Sequence, residues 1–490
     1  MIELSPDRIA ASCAATIVAG DTEARSATDF PERAVIDSRE VRPGDLFFGL
    51  RGAQADGGEF AASAIEAGAW GVVVESVKAR SLEPVARSAR VLGTRDPLGA
   101  LQGLARAWSQ ELRGKHCRVV AITGSTGKTS TKDILVALLG SALEGHARGN
   151  RENFNTEIGL PLTVLEAPAS TRALVLEMAM RGMGQIGELA RIAVPAVGVI
   201  TNIGPVHLEL VGTIEHVAEA KAELIAELPS KAACVVPAAE EALHPHLRSD
   251  VRVITFASCH GEGSDPLGLV AATANASAAV RALSVEPTDV GLRAHIVAGG
   301  ESAEFEFNFR QAHNLTNALA AIGVVHALGV PLADVAPGAG RVSFSGLRGE
   351  EVETPRGVLV INDCYNANPT SMRAALDHLV LRARQRGSPR TVAIVGDMKE
   401  LGEGSASYHR ELGEHAARLG VDVLVAVGEQ RGAYGQGFAD ERRLHEASDA
   451  QQAARLAGEL VEPGDVVLVK ASRSVGLERV VDALDSAGAL

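Results

Sequence analysis

The segment Val119-Val120-Ala121-Ile122-Thr123-Gly124-Ser125-Thr126-Gly127-Lys128-Thr129-Ser130 constrains this chain more than any other. Its apolar opening reads as a buried strand, its glycines as a tight turn, and Ile134, Leu135, Leu138, Leu139 and Ala142 beyond it share one face of a helix. A strand that runs through a glycine turn into a helix belongs to a parallel sheet, because parallel neighbours need a crossover connection. The turn has a chemistry too. Its N–H groups can face anionic oxygens, and the helix adds the positive end of its dipole.

The same rhythm of short apolar runs and helical stretches repeats along most of the chain, and 490 residues exceed what one core holds. The predicted class is α/β with three domains: a first at 1–112, a central P-loop parallel-sheet ATPase domain at 113–340, and a C-terminal Rossmann-like domain at 341–490. In the first, strands are expected at 45–50 and 70–75 and a helix at 98–112. In the second, strands are expected at 119–122, 173–176, 197–201 and 251–256, followed by an antiparallel region at 280–309 and a helix at 314–328. The third has strand signals at 358–361, 392–395, 423–427 and 466–469. No short tandem repeat interrupts this pattern.

Composition removes several functions. A net charge of -14 opposes a protein that coats nucleic acid, which needs a basic face to displace counterions. No apolar run approaches the ~20 residues that a membrane helix needs, and the acidic start Met1-Ile2-Glu3-Leu4-Ser5-Pro6-Asp7 lacks the basic region of a secretory signal. Cys13, Cys117, Cys234, Cys259 and Cys364 are scattered and form no C-x-x-C pair, which suits a reducing cytoplasm. A cytoplasmic protein with small-molecule partners, no nucleic acid and no membrane insertion is expected.

Within Thr123-Gly124-Ser125-Thr126-Gly127-Lys128-Thr129-Ser130, Lys128 supplies a point charge for phosphate and Thr129 a hydroxyl for Mg²⁺. Gly124 and Gly127 enclose only two residues, fewer than the common Walker pattern places before its Gly-Lys pair. Glu177 follows the apolar run Ala173-Leu174-Val175-Leu176, and His207 follows the next strand and the turn Asn202-Ile203-Gly204-Pro205. Both should emerge at the carboxyl ends of strands, where open α/β sheets place their ligands.

With the short glycine spacing, Glu177 and His207 in hand, the chain resembles the Mur ligases of bacterial peptidoglycan synthesis along nearly its whole length. That resemblance implies ATP and Mg²⁺ as cofactors. It makes Thr129, Glu177, His207 and Lys221 the metal-side residues, with Lys221, in Glu219-Ala220-Lys221-Ala222-Glu223, carbamylated by CO₂. Read from the residues alone, Lys221 is a solvated helix lysine. Asn155, in Asn155-Thr156-Glu157-Ile158-Gly159-Leu160-Pro161, and Asn317, in His313-Asn314-Leu315-Thr316-Asn317-Ala318, correspond to nucleotide-side asparagines, whose amides can read adenine. By the same resemblance Asp363 approaches the ribose and Arg348 the γ-phosphate, with Arg341 the competing arginine.

Ser38 and Arg39, in Asp37-Ser38-Arg39-Glu40-Val41-Arg42-Pro43-Gly44-Asp45, resemble the UDP-binding opening of the two later ligases, although Gly58 replaces a histidine often present nearby. The segment Asn362-Asp363-Cys364-Tyr365-Asn366-Ala367-Asn368-Pro369 makes Tyr365 and Asn366 substrate-side candidates, and together with Gly396-Asp397-Met398-Lys399-Glu400-Leu401-Gly402 it resembles the D-alanyl-D-alanine-adding member. No Asp-Asn-Pro-Arg segment is present, which disfavours the member that adds a diamino acid. The implied reaction joins UDP-N-acetylmuramoyl-tripeptide to D-alanyl-D-alanine through an acyl phosphate, in a monomer whose domains close on their substrates. The diamino-acid ligase and a P-loop NTPase that drives a partner stay open as alternatives. Lys470 and Arg473 are candidates to hold a carboxylate or to form a salt bridge at a helix start.

Overall fold

The computed structural model describes residues 1–20, 29–86, 88–151, 153–257, 277–387 and 390–486. Three sheets follow one another along the chain. The first has five strands in the order Thr16–Ala19, Arg90–Thr94, Gly71–Glu75, Leu46–Phe48, Ala34–Val35, parallel except at Thr16–Ala19. The central sheet has nine. Its parallel part runs Arg252–Phe256, Ala233–Pro237, Val197–Ile200, Arg118–Thr123, Ala173–Glu177, Ala147–Gly149, and the antiparallel strands Val280–Pro287, Leu292–Ala298 and Glu301–Phe307 extend it at one edge. The last sheet has six strands, in the order Glu350–Glu353, Leu359–Asn362, Val466–Lys470, Thr391–Gly396, Val423–Val427, Leu444–Ala447, and is parallel except at Glu350–Glu353.

The strands anticipated from apolar runs are all present. Those that escaped are Thr16–Ala19, Ala34–Val35, Arg90–Thr94, Ala147–Gly149, Glu350–Glu353 and Leu444–Ala447, which are short or carry charge, and Ala233–Pro237, an apolar run not among those anticipated. Arg90 is buried yet polar, since its guanidinium lies over the Trp70 ring at 4.4 Å and pairs with Asp29 at 2.7 Å. No apolar-run criterion detects such a strand.

Helix Pro97–Gly114 begins at an Asp96 cap with proline in its first turn, and its apolar face is covered from two sides. Trp108 donates to the Ala167 carbonyl at 2.9 Å and Ser109 to Ala193 at 2.5 Å, and one continuous core joins Phe48, Leu92 and Leu104 to Val119, Leu174 and Leu189. The first two sheets therefore share one core. Contacts to the segment that leads into the last sheet are mixed: Val342 and Phe344 pack against the central core, and the Ser345 N–H and hydroxyl donate to Asp133 at 2.8 and 3.0 Å.

Cys13, Cys117, Cys234 and Cys364 are buried and unbridged, and burial pushes their thiols up to about 12, 12, 11 and 12. Cys259 lies outside the described residues. Among the described residues no helix is long and apolar enough to cross a membrane.

Candidate functional site

Strand Arg118–Thr123 delivers the chain into the glycine turn at the carboxyl end of the central sheet, and helix Lys128–Ala142 leaves it. Gly124 and Gly127 have φ of +148° and +77°, the left-handed half of backbone space. Each also has no room for a side chain. A Cβ at Gly124 would lie 1.9 Å from Thr201 Oγ1, and one at Gly127 would lie 2.2 Å from Asn317 Oδ1. Thr201 Oγ1 donates to the Thr126 carbonyl at 2.5 Å, Asn202 Nδ2 donates to Thr126 Oγ1 at 2.6 Å, and the Thr126 N–H donates to Asn202 Oδ1 at 2.9 Å. These bonds hold the loop from the neighbouring strand's end. The Lys128 ammonium folds back onto the Gly124 carbonyl at 2.7 Å, and burial lowers its pKa, against Glu177, which raises it.

Glu177 ends strand Ala173–Glu177, buried, with both oxygens engaged. Thr129 donates to Oε2 at 2.6 Å and Asn155 Nδ2 to Oε1 at 2.8 Å, while Asn150 accepts from the Glu177 N–H at 2.8 Å and donates to its carbonyl at 3.0 Å. His207 has φ +55° at the start of helix Leu208–Val211. Its Nδ1 is hydrogen-bonded to Glu400 Oε2, a residue of the C-terminal domain that itself has φ +64°. A carboxylate only accepts, so Nδ1 carries the proton and Nε2 is left for another partner. Burial lowers the His207 pKa, opposed by Glu400.

Lys221 is only 2% exposed, within helix Ile214–Ala226. Read as an isolated residue it was a solvated helix lysine; the structure corrects that, because the helix turns this face inward with Val217, Leu224 and Ile225. Among the described residues no group accepts a hydrogen bond from it. Burial first, and then the charge of Lys128, hold its pKa well below the ordinary lysine value.

A cavity of about 1900 Å³ opens between the central and C-terminal domains, lined by Ser125 to Ser130, Asn155, Glu177, His207, Asn317, Arg348, Asp363, Tyr365 and Asn366. Arg348 lies over the Tyr365 ring at 4.0 Å, with its Nε buried and unbonded. Arg341 is exposed and outside this lining, so the geometry favours Arg348 of the two. Asp363 accepts from Lys470 at 2.6 Å, and Lys470 also donates to the Asn366 carbonyl at 2.9 Å. Lys470, buried and doubly engaged, has little left to hold a substrate carboxylate. Arg473 lies 3.6 Å from Glu478, the first residue of a helix, as the salt-bridge alternative anticipated.

Residues 34–109, 122–325 and 347–473 match three family descriptions in turn: Mur ligase family, catalytic domain; Mur ligase middle domain; and Mur ligase, glutamate ligase domain. A Mycobacterium tuberculosis protein named UDP-N-acetylmuramoyl-tripeptide--D-alanyl-D-alanine ligase is 36% identical over 99% of this chain and 98% of its own. The chain belongs to the Mur ligase family. A Bacillus subtilis protein of the same name is 34% identical over 91% of both chains. The fold is similar to that of MurF from Acinetobacter baumannii, with a TM-score of 0.81 at 26% identity over 98% of both chains. It is also similar to MurF ligase from Thermotoga maritima in complex with ADP, with a TM-score of 0.75 at 29% identity over 94% of this chain and 99% of that one.

Not every anticipated residue of this Mur ligase meets in the cavity. Ser38 and Arg39 sit in a short 3₁₀ turn of the first domain, away from the lining. Arg39 is exposed and forked onto Asp37, whose carboxyl it holds down to about 2. A side chain at Gly58 would meet Lys78 Cδ at 2.9 Å, and Lys78 pairs with Asp56 at 2.7 Å, so a lysine from another element fills the space beside the glycine. Asn150, Thr201, Asn202, Glu400 and Lys470 were not anticipated in the positioning roles that they fill. Signals were present for Thr201 and Asn202, at the end of an expected strand and in the turn after it, and for Lys470, a candidate partner for a carboxylate; none pointed to the partner found.

Proposed function

We propose that this Mur ligase joins D-alanyl-D-alanine to UDP-N-acetylmuramoyl-tripeptide with ATP, releasing ADP and phosphate. The observation that carries the reading is the single cleft in which a glycine loop, Glu177 and His207 from one domain face Arg348, Asp363 and Tyr365 from another. In the proposed division of labour, residues 1–112 hold the UDP end through Ser38 and Arg39, residues 113–340 hold the nucleotide, and residues 341–490 hold the dipeptide.

The nucleotide phosphates lie along the N–H groups of Thr123 to Ser130, with Asn317 beside Gly127 toward the base and Asp363 toward the ribose. A carboxylate oxygen of the tripeptide attacks the γ-phosphorus, and the bond to the β-phosphate oxygen breaks as ADP leaves. The dipeptide amine then attacks the acyl carbon, phosphate departs with the C–O electron pair, and the amine proton passes to solvent or phosphate. Both steps bring anions together, so Lys128 and Arg348 contribute by offsetting charge and by alignment.

Thr129 Oγ1 and Glu177 Oε2 converge within 2.6 Å, and His207 keeps Nε2 open. Among the described residues no three His, Cys, Asp or Glu side chains form a metal cluster. This donor set fits Mg²⁺, which takes few protein ligands and completes its shell with phosphate and water; when bound, it neutralises phosphate charge. Lys221 fits carbamylation: a neutral amine is the form that adds CO₂, and burial favours that form.

The test mixes enzyme, ATP, Mg²⁺ and the UDP-tripeptide with D-alanyl-D-alanine, with single diamino acids, or with no amine. ADP formation is expected only with the dipeptide. Equal release without an amine supports the NTPase, and release with a diamino acid the other ligase. For Lys221, ¹³CO₂ should give a carbamate carbon resonance that is lost in Lys221→Met.

A further inference from the structure

The incoming dipeptide carries an amine at one end and a carboxylate at the other, and no residue has yet been given the carboxylate. We infer that Arg373 holds it, in a subsite within the C-terminal wall of the cleft; this rests on the ligase reading above. Helix Pro369–Arg386 starts directly over the glycine loop. A methyl placed on Gly204 would lie 3.1 Å from Thr370 Oγ1 and 3.7 Å from Ser125 Cβ, so the helix's first turn faces the place where the acyl phosphate forms.

Arg373 follows Thr370 by three residues, a rise of about 4.5 Å along the helix, and its side chain lines the cavity. An extended dipeptide spans roughly 7 Å. With its amine at the reaction centre, its carboxylate therefore reaches a guanidinium one turn down this helix. Ala374 and Tyr408 line the wall beside it, where small methyl side chains fit.

The other cations of the cavity are occupied or face elsewhere. Lys470 is held by Asp363, Lys399 by Asp397 at 3.0 Å, Arg473 by Glu478, and Arg348 lies on Tyr365. Lys128 belongs to the phosphate loop. Arg181 is exposed and belongs to the central domain, beside Gln185. Arg373 is half-buried, and among the described residues its guanidinium has no partner. Asp377, one turn further along the helix, is bonded instead to His415 at 2.7 Å. A partly buried, unclaimed guanidinium suits a planar carboxylate, which it can grip with two parallel N–H bonds.

Steady-state kinetics of the full-length enzyme test this with D-alanyl-D-alanine and its C-terminal amide. The wild type should prefer the free carboxylate. Arg373→Gln should raise the dipeptide KM about 10-fold or more and erase the preference over the amide, with KM for ATP and for the UDP-tripeptide unchanged. Arg373→Lys should fall between the two. Retained preference in Arg373→Gln, its loss in Arg181→Gln or Arg473→Gln instead, or a rise in all three KM values would each overturn the assignment. Failure of the wild type to make ADP with any dipeptide would refute the ligase reading itself, a separate outcome.

Discussion

Replacing Gly127 by alanine adds one methyl where the backbone and a neighbour both forbid it. At φ +77° an L-residue loses roughly 1–2 kcal/mol, because its Cβ crowds the following carbonyl. That Cβ would also stand 2.2 Å from Asn317 Oδ1 and 3.1 Å from Cγ, a separation that atoms do not adopt, so Asn317 must swing away. Its bond to Asn314 Oδ1, 3.2 Å long, is then lost, at about 1 kcal/mol. The sum of about 2–3 kcal/mol corresponds to a loss of ATP affinity of roughly 30- to 150-fold if the strain relaxes through the loop. Equilibrium titration with nucleotide reads this directly, and KM for the UDP-tripeptide serves as the internal control. Gly140→Ala, in the same helix with open space around it, should leave affinity unchanged and raise stability by about 0.5–1 kcal/mol. Gly127→Ala binding ATP within about threefold of wild type would refute the steric argument.

Lys221→Met should abolish ligation while stabilising the protein in CO₂-free buffer at neutral pH. The native pKa of Lys221 is depressed, so between that value and about 10.4 the unfolded chain binds the extra proton, and the wild type's stability rises with pH through this window. In the methionine variant that slope should flatten in urea titrations run at several pH values. Arg90→Leu removes the buried partner of Asp29 and the cation above Trp70, and should lower the urea midpoint by the equivalent of about 3–5 kcal/mol; a loss below about 1 would mean that the pair is solvated. Glu400→Ala breaks a half-exposed contact between domains, discounted to about 1 kcal/mol, and should shift the population toward an open arrangement about fivefold. An unchanged distance distribution between labels on the central and C-terminal domains would count against it.

What the amino-acid order determined by itself was whatever depends on neighbours in the chain. The glycine loop, the strand leading into it and the helix leaving it are local, and their periodicity and turn chemistry can be read directly; so can the parallel rhythm of all three domains. Glu177 and His207 were legible because the end of a strand is an address in both sequence and space. Lys221 was not legible from its residues, because helix spacing says which residues share a face and not which face is covered; only packing against the central sheet turns it inward. The same limit hid Glu400, which meets His207 across 193 positions, and Lys470, which meets Asp363 across 107. Electrostatic partners are chosen by distance after folding, and a chain carrying 47 basic and 61 acidic residues offers far more pairs than it can form. Tertiary structure alone selected among them, as the close approach of two domains left some charges engaged and Arg373, unpaired among the described residues, lining the cleft.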